Sequence, residues 1–248
     1  MQIVITGTTS GIGHALALHY AQPGSILGLI GRRQERLAAV AARCEAQGAH
    51  VIPAAIDVGD TTVMQAYATQ FLQRTDGIDL VIANAGVAAP DNLASGDAAY
   101  HTRHFTVNVM GLLNTLLPFV PQMMRQRHGQ LVAMASVAGF RALPGSTTYA
   151  ATKIAVRTLM EGYGWHLRRY GITVTTINPG FIVSEITAKN RFPMPFLLQT
   201  EDAAQRIARA IARRRRVYTF PWPMAIVARL LGYIPGAVLR RFEPPREF

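Results

Sequence analysis

The chain has 248 residues, half of them hydrophobic and 16% charged, and a formal net charge of +11. That balance excludes a disordered chain and suits one α/β domain, residues 1–248, with a substantial core. Its lone cysteine, Cys44, excludes a disulfide framework within the chain. It points to a reducing compartment, and with no signal-peptide pattern ahead of the first strand a cytoplasmic location is expected.

Apolar runs and helix-like stretches alternate along the sequence. Gln2–Thr6 ("QIVIT") reads as a strand ended by Gly7, and a helix-like stretch follows from Gly13. Ser25–Gly31 is the next buried strand. The helix after it sets Leu37, Val40, Ala41 and Cys44 on one face. "HVIPAAI" is strand-like despite Pro53, Thr61–Thr75 is helical, and "IDLVIAN" is a strand ending at Asn84. Then come a helical region over Tyr100–Leu117, the strand "GQLVAMAS", a long helix over Tyr149–Tyr170 and the strand "ITVTTINPG". "TEDAAQRIARAIARR" predicts a helix with Thr200 as N-cap, acids in its first turn and arginines in its last. "VYTF" closes the series. Continuous apolar strands between helices predict a single doubly wound parallel sheet of about seven strands, covered by helices on both faces.

"TGTTSGIG" joins the first strand to the first helix. Gly7, Gly11 and Gly13, with Thr9, Ser10 and Ile12 between them, make a tight turn that lets the backbone approach a pyrophosphate at a helix N-terminus. The residue that meets the adenine ribose lies roughly 20 positions on, and an acid there suits the 2′-hydroxyl of NAD. This chain instead has Arg32 and Arg33, whose guanidinium groups suit a 2′-phosphate, so NADP (NADPH) is expected over NAD.

Only two lysines occur, Lys153 and Lys189, among 25 basic Lys and Arg residues. Lys153 follows Tyr149 by one helical turn, so the two share a face. A nearby ammonium lowers a phenol's pKa and lets it work as an acid/base. Ser136 ends a strand at the ligand-binding edge, where its hydroxyl can hold a carbonyl or alcohol oxygen.

Together the glycine turn, Asp57-Val58, "NAG" at 84–86, Asn108, Ser136, "YAATK" and "NPGFI" resemble the short-chain dehydrogenase/reductase family in its single-domain form. The resemblance implies a Rossmann-like sheet in the order 3-2-1-4-5-6-7 and the catalytic set Asn108, Ser136, Tyr149 and Lys153. It also implies that Asp57 and Val58 contact adenine, and that Asn84, Ala85 and Gly86 pass under the cofactor. Tyr149 and Lys153 are then cofactor contacts too, and Pro179, Gly180 and Ile182 flank the nicotinamide. Asn108 would hold a relay water behind Lys153, and Ser184 stands where many relatives carry a threonine. The expected partners are a small-molecule carbonyl or alcohol and further copies of the chain, as a homodimer or homotetramer. No metal and no nucleic acid are expected, since the seven histidines show no ligand spacing and the arginines at 213–216 suit a helix end.

The segment Glu185–Gln199 would cover the substrate, with Phe192, Met194, Phe196 and Leu197 giving it an apolar lining. A C-terminal extension at about 221–248 mixes Trp222, Met224, Ile226, Val227, Leu230, Leu231, Ile234 and Leu239 with Arg229, Arg240 and Arg241. Packing on its own chain or a second subunit ranks first for that tail, and peripheral membrane contact second. The leading function is an NADP-dependent carbonyl–alcohol oxidoreductase. The alternatives are an epimerase or dehydratase, a catalytically silent nucleotide-binding regulator, and a basic nucleic-acid- or membrane-binding module.

Overall fold

The computed structural model describes residues 1–91, 93–142, 145–189 and 193–234. Phe192, Leu239, Arg240 and Arg241 lie outside the described residues. The apolar runs become β1 (Gln2–Thr6), β2 (Ile26–Ile30), β3 (His50–Ala54), β4 (Leu80–Ala83), β5 (Gly129–Met134), β6 (Ile172–Pro179) and β7 (Val217–Phe220). They form one parallel sheet in the order β3-β2-β1-β4-β5-β6-β7, as expected. Every residue of β4 and β5 is buried, because helices cover both faces there; hence their continuous apolar sequence. β3 is an edge strand, which can spare the N–H that Pro53 lacks.

The helices are α1 (Gly11–Tyr20), α2 (Gln34–Glu45), α3 (Thr61–Gln73), α4 (Ala98–Phe105), α5 (Gly111–Leu116), α6 (Val120–Gln126), α7 (Thr147–Leu167), α8 (Thr200–Ala212) and α9 (Trp222–Leu231). One face of the sheet packs against α1, α2 and α8 through Leu16, Leu37, Val40 and Ile207. The other packs against α3, α5 and α7 through Met64, Phe71, Leu116 and Val156. β1 pairs with β2 on one side and β4 on the other. The chain therefore reverses direction across the sheet at β1, and a crevice opens at the carboxyl ends of β1 and β4.

The helical region expected around Tyr100–Leu117 is present, with a π-helical turn, Thr106–Met110, between α4 and α5. The wider turn carries Asn108, whose amide clasps Val87 by accepting from its N–H at 2.8 Å and donating to its carbonyl at 2.9 Å. Thr200 is not the N-cap of α8. Gln199 holds that position, and the Thr200 hydroxyl donates to the carbonyl of Val183, tying the helix start to the segment after β6. Arg213 caps the other end of α8, and Arg214 N–H returns to Ile211, as expected for the arginine run.

Candidate active site

The glycine turn is shaped by contact with the end of β4, the strand beside β1 in the sheet. Gly7 has φ +73°, and a Cβ there would lie 2.8 Å from Ala85 Cα. At Gly13 a Cβ would lie 2.3 Å from the Gly7 carbonyl oxygen. Neither position can carry a side chain, so the turn stays a bare backbone cradle. Asn84 braces it from β4 by donating to the carbonyls of Thr6 and Gly7, while Thr6 Oγ1 accepts from Asn84 and Ala85 N–H. Ser10 sits at the N-cap of α1, yet its side chain makes no cap bond. The first-turn N–H groups of α1 are thus left for an external anion. This cradle fits a dinucleotide pyrophosphate. Ile12 packs its side chain toward the core, so only its main chain serves the turn.

Arg32 and Arg33 follow β2, beside the glycine turn at the carboxyl edge of the sheet. Arg32 donates to Asp57 at 3.4 Å, and Asp57 also accepts from Gly59 N–H at 2.9 Å. Arg33 turns one edge to the Thr9 hydroxyl, with Nε at 3.2 Å and Nη2 at 3.1 Å, and its Nη1 to Glu185. Arg36, a turn further along α2, donates to the same carboxylate. Hydrogen bonds from Arg36 and then Arg33 outweigh slight burial and hold the Glu185 carboxyl below its ordinary pKa. The Val58 side chain is buried against Gly111.

At the other end of the crevice, Ser136 follows β5, and Tyr149 and Lys153 rise from α7. Lys153 is buried, and its Nζ donates to the Met134 carbonyl at 2.8 Å. A methyl on Gly86 would come 3.3 Å from Asn108 Oδ1 and 3.7 Å from Lys153 Nζ, so these three residues adjoin. Thr152 Oγ1 accepts from Asn108 Nδ2 at 3.0 Å and links the π turn to α7. The Asn108 side chain is therefore engaged by Val87 and by Thr152, the residue before Lys153.

The expected effect of Lys153 on Tyr149 is corrected. Lys153 Nζ lies 5.6 Å from the centre of the Tyr149 ring. Burial raises the Tyr149 pKa above the ordinary tyrosine value, and the Ser136 hydroxyl draws it back only in part. Burial also pushes Lys153 down to about 8. Each charged form pays for enclosure, so in the nucleotide-free protein the phenol is held protonated.

Pro179 ends β6, and Gly180 N–H donates to Phe220 at 2.8 Å. Met224 of α9 packs against Gly180, so part of the C-terminal extension borders the crevice. Ile182 points into the core and bridges to Leu198. Ser184 and Thr187 share hydrogen bonds within one turn.

Three contributors were not read from the sequence. Asp91 caps α7, accepting from the N–H of Thr147 and, at 3.0 Å, Thr148. Burial would raise its pKa, but those two backbone bonds and the threonine hydroxyls hold it below the ordinary value. Gly139 presses against α7, where an added Cβ would lie 2.9 Å from the Lys153 carbonyl oxygen. Glu185 bonds Arg33 across 152 positions of chain. An aspartate before a long helix is a common cap signal, but no local spacing links residue 91 to 147. Among the described residues no group of three or more His, Cys, Asp or Glu is placed to hold a metal ion, and no helix is long and apolar enough to cross a membrane.

Residues 1–194 match the family model described as short chain dehydrogenase. The chain belongs to the short-chain dehydrogenase/reductase family. It is 38% identical over 235 residues to an uncharacterized oxidoreductase of Myxococcus xanthus, covering 94% of this chain and 92% of that protein. A Mycobacterium tuberculosis relative, also an uncharacterized oxidoreductase, is 31% identical over 245 residues, with 97% and 96% coverage. Among solved structures, a short-chain dehydrogenase of Sphingobium yanoikuyae in complex with NADPH superposes with TM-score 0.81 at 28% identity, over 95% of this chain and 97% of that one. One from Burkholderia phymatum in complex with NAD gives 0.85 at 28%, over 100% and 96%. The enzyme is thus an oxidoreductase with a nicotinamide-nucleotide fold.

Proposed function

We propose that this enzyme interconverts a carbonyl and an alcohol, with NADP(H) preferred over NAD(H), on an apolar substrate. The observation that carries the reading is the convergence of Ser136, Tyr149 and Lys153 at the crevice edge shared with the bare glycine turn. The nicotinamide, when bound, supplies or accepts the hydride. Tyr149 gives the proton to the substrate oxygen in reduction and removes it in oxidation. Ser136 orients that oxygen. Lys153 holds a compact charge beside the phenol and Gly86, within reach of the ribose side of the cleft. Asn108 keeps Lys153 and Val87 in register. With NADPH as the cofactor, reduction is the favoured direction.

Arg32 and Arg33 support NADP, since two guanidinium groups and no unpaired acid face the ribose end. Gly7, Thr9, Ser10, Gly11, Ile12 and Gly13 would hold the pyrophosphate through main chain, and Asp57, Asn84, Ala85, Gly86, Pro179 and Gly180 would line the rest of the cofactor. Exposed Ile186, Phe196 and Leu197, with Met224 below, support an apolar substrate. Exposed Phe105, Met110, Leu117 and Ile154 on the helices of one side support pairing with further copies of the chain. Trp222, Ile226, Val227 and Leu230 form an outward apolar face of α9 suited to a second subunit or, less so, a membrane surface. One domain over 1–248 and a cytoplasmic location belong to the same proposal.

The test is NADPH and NADH consumption at pH 7 against a panel of apolar ketones and aldehydes. Tyr149→Phe should lower turnover by about 10²–10⁴-fold while leaving nucleotide affinity within a few-fold. Full turnover by Tyr149→Phe would refute the acid/base assignment. Tight nucleotide binding with no turnover on any substrate would favour the silent regulator.

A further inference from the structure

The ribose end of the crevice already contains an anion of its own. Arg33 and Arg36 lie three residues apart at the start of α2, so both guanidinium groups project to one side. Two like charges at that spacing repel unless an anion sits between them. Glu185 supplies it. Arg33 Nη1 meets its two oxygens at 3.0 and 2.8 Å, and Arg36 donates to Oε1. The Thr9 hydroxyl holds the other edge of Arg33, so the guanidinium is fixed on the glycine turn while its free end holds Glu185. Glu185 belongs to the segment after β6, on the opposite side of the crevice. The neighbouring Ser184 rests on the turn itself, with its Cβ 3.6 Å from where a Cβ of Gly11 would stand. The contact is a strap across the crevice, from the substrate side to the ribose side.

We propose that Glu185 is a specificity-determining residue for the cofactor: it occupies, as an internal carboxylate, an anion seat formed by Arg33 and Arg36, and competes there with a ribose 2′-phosphate. The assignment rests on the NADP reading for its physiological meaning, but its physical content is separate from it. A cofactor with a free 2′-hydroxyl leaves the Glu185 pairs intact. One with a 2′-phosphate brings a dianion to the same donors and must displace the carboxylate or share Arg33 and Arg36 with it. The arginines therefore discriminate less than their charge alone would allow, and the segment carrying Glu185 is tied down more firmly without the phosphate than with it. Arg36 joins Arg33 as a binding residue for that phosphate. The pairs are half-exposed, with side chains 40% and 55% accessible for Arg33 and Arg36 and 53% for Glu185, so the effect is a modulation and not an on–off switch.

The probes are adenosine 2′,5′-bisphosphate and 5′-AMP, titrated calorimetrically into the wild-type full chain, Glu185→Gln, Arg36→Ala and the double variant. Glu185→Gln should tighten the bisphosphate by about five- to tenfold and leave 5′-AMP unchanged. Adding Arg36→Ala should remove most of that gain. A Glu185→Gln protein whose affinity ratio for the two probes equals that of wild type overturns the assignment, as does a gain that survives the loss of Arg36. The wild-type ratio by itself tests the NADP reading: equal affinity for the two probes refutes that preference. The change caused by Glu185→Gln then still decides the competition at the seat.

Discussion

Burial of Lys153 should leave a measurable pH signature on stability. In the folded, nucleotide-free protein the amine is lowered from 10.5 to about 8 by burial, whereas the unfolded chain returns it to an ordinary lysine. The unfolded state therefore binds the proton more tightly, and stability rises with pH between about 8 and 10.5. A displacement of that size costs the folded state about 3 kcal/mol at pH 7, and roughly 2 kcal/mol of this is relieved by pH 9.5. Lys153→Met keeps the length and apolar bulk of the side chain and removes the charge. Its bond to Met134 is lost at both pH values, so that loss cancels from the comparison. Tyrosines, Cys44 and the carboxylates are common to both proteins and cancel as well. Urea unfolding at pH 7 and 9.5 gives the quantity needed, the stability of wild type minus that of the variant. It should increase by about 2 kcal/mol across the interval. A difference that does not move with pH would mean that the ammonium is solvated in the folded state. A difference that falls would mean that a negative partner stabilises the charge. Either result refutes the buried-ammonium account.

Two further substitutions test parts that support the site without entering the chemistry. Asp91→Asn weakens the cap on α7 and should cost about 1 kcal/mol near neutral pH. Because the Asp91 carboxyl is held below its ordinary pKa, its contribution is present above the unfolded value near 4 and fades as pH falls through the folded one. The gap in Tm between wild type and Asp91→Asn should therefore be wide at pH 6 and narrow at pH 3; a gap that widens in acid contradicts the cap. Gly139→Ala puts a methyl 2.9 Å from the Lys153 carbonyl and must push the turn that follows Ser136 away from α7. Turnover should fall about tenfold with nucleotide affinity unchanged, since a small misplacement of an orienting group acts on the reacting geometry. Unchanged kcat would mean that Ser136 is not held by this contact.

The parts of this molecule that were legible in the sequence are those in which cause and effect lie close together along the chain. β4 and β5 read as strands because every residue is buried, and α2 read as amphipathic because Leu37, Val40, Ala41 and Cys44 all face the core. The glycine turn was legible for the same reason, since the strand, the turn and the helix start are contiguous. The failures share the opposite property. The cap on α7 comes from Asp91 and the anion on Arg33 from Glu185, partners joined by the fold and not by spacing. The π turn at Asn108 is fixed by bonds to Val87, which a helical periodicity does not contain. The most instructive case is the pair that looked local. Four residues of spacing place Tyr149 and Lys153 on one face of α7, but the direction of the lysine is set by the Met134 carbonyl. That pocket, bounded by Gly86 and Asn108, admits one compact ammonium and gives a planar guanidinium no matching carboxylate. In a chain that places arginine at nearly every other basic position, the lysine is thus explained less by the tyrosine beside it than by the small, enclosed site at the end of β5 that its amine has to fill.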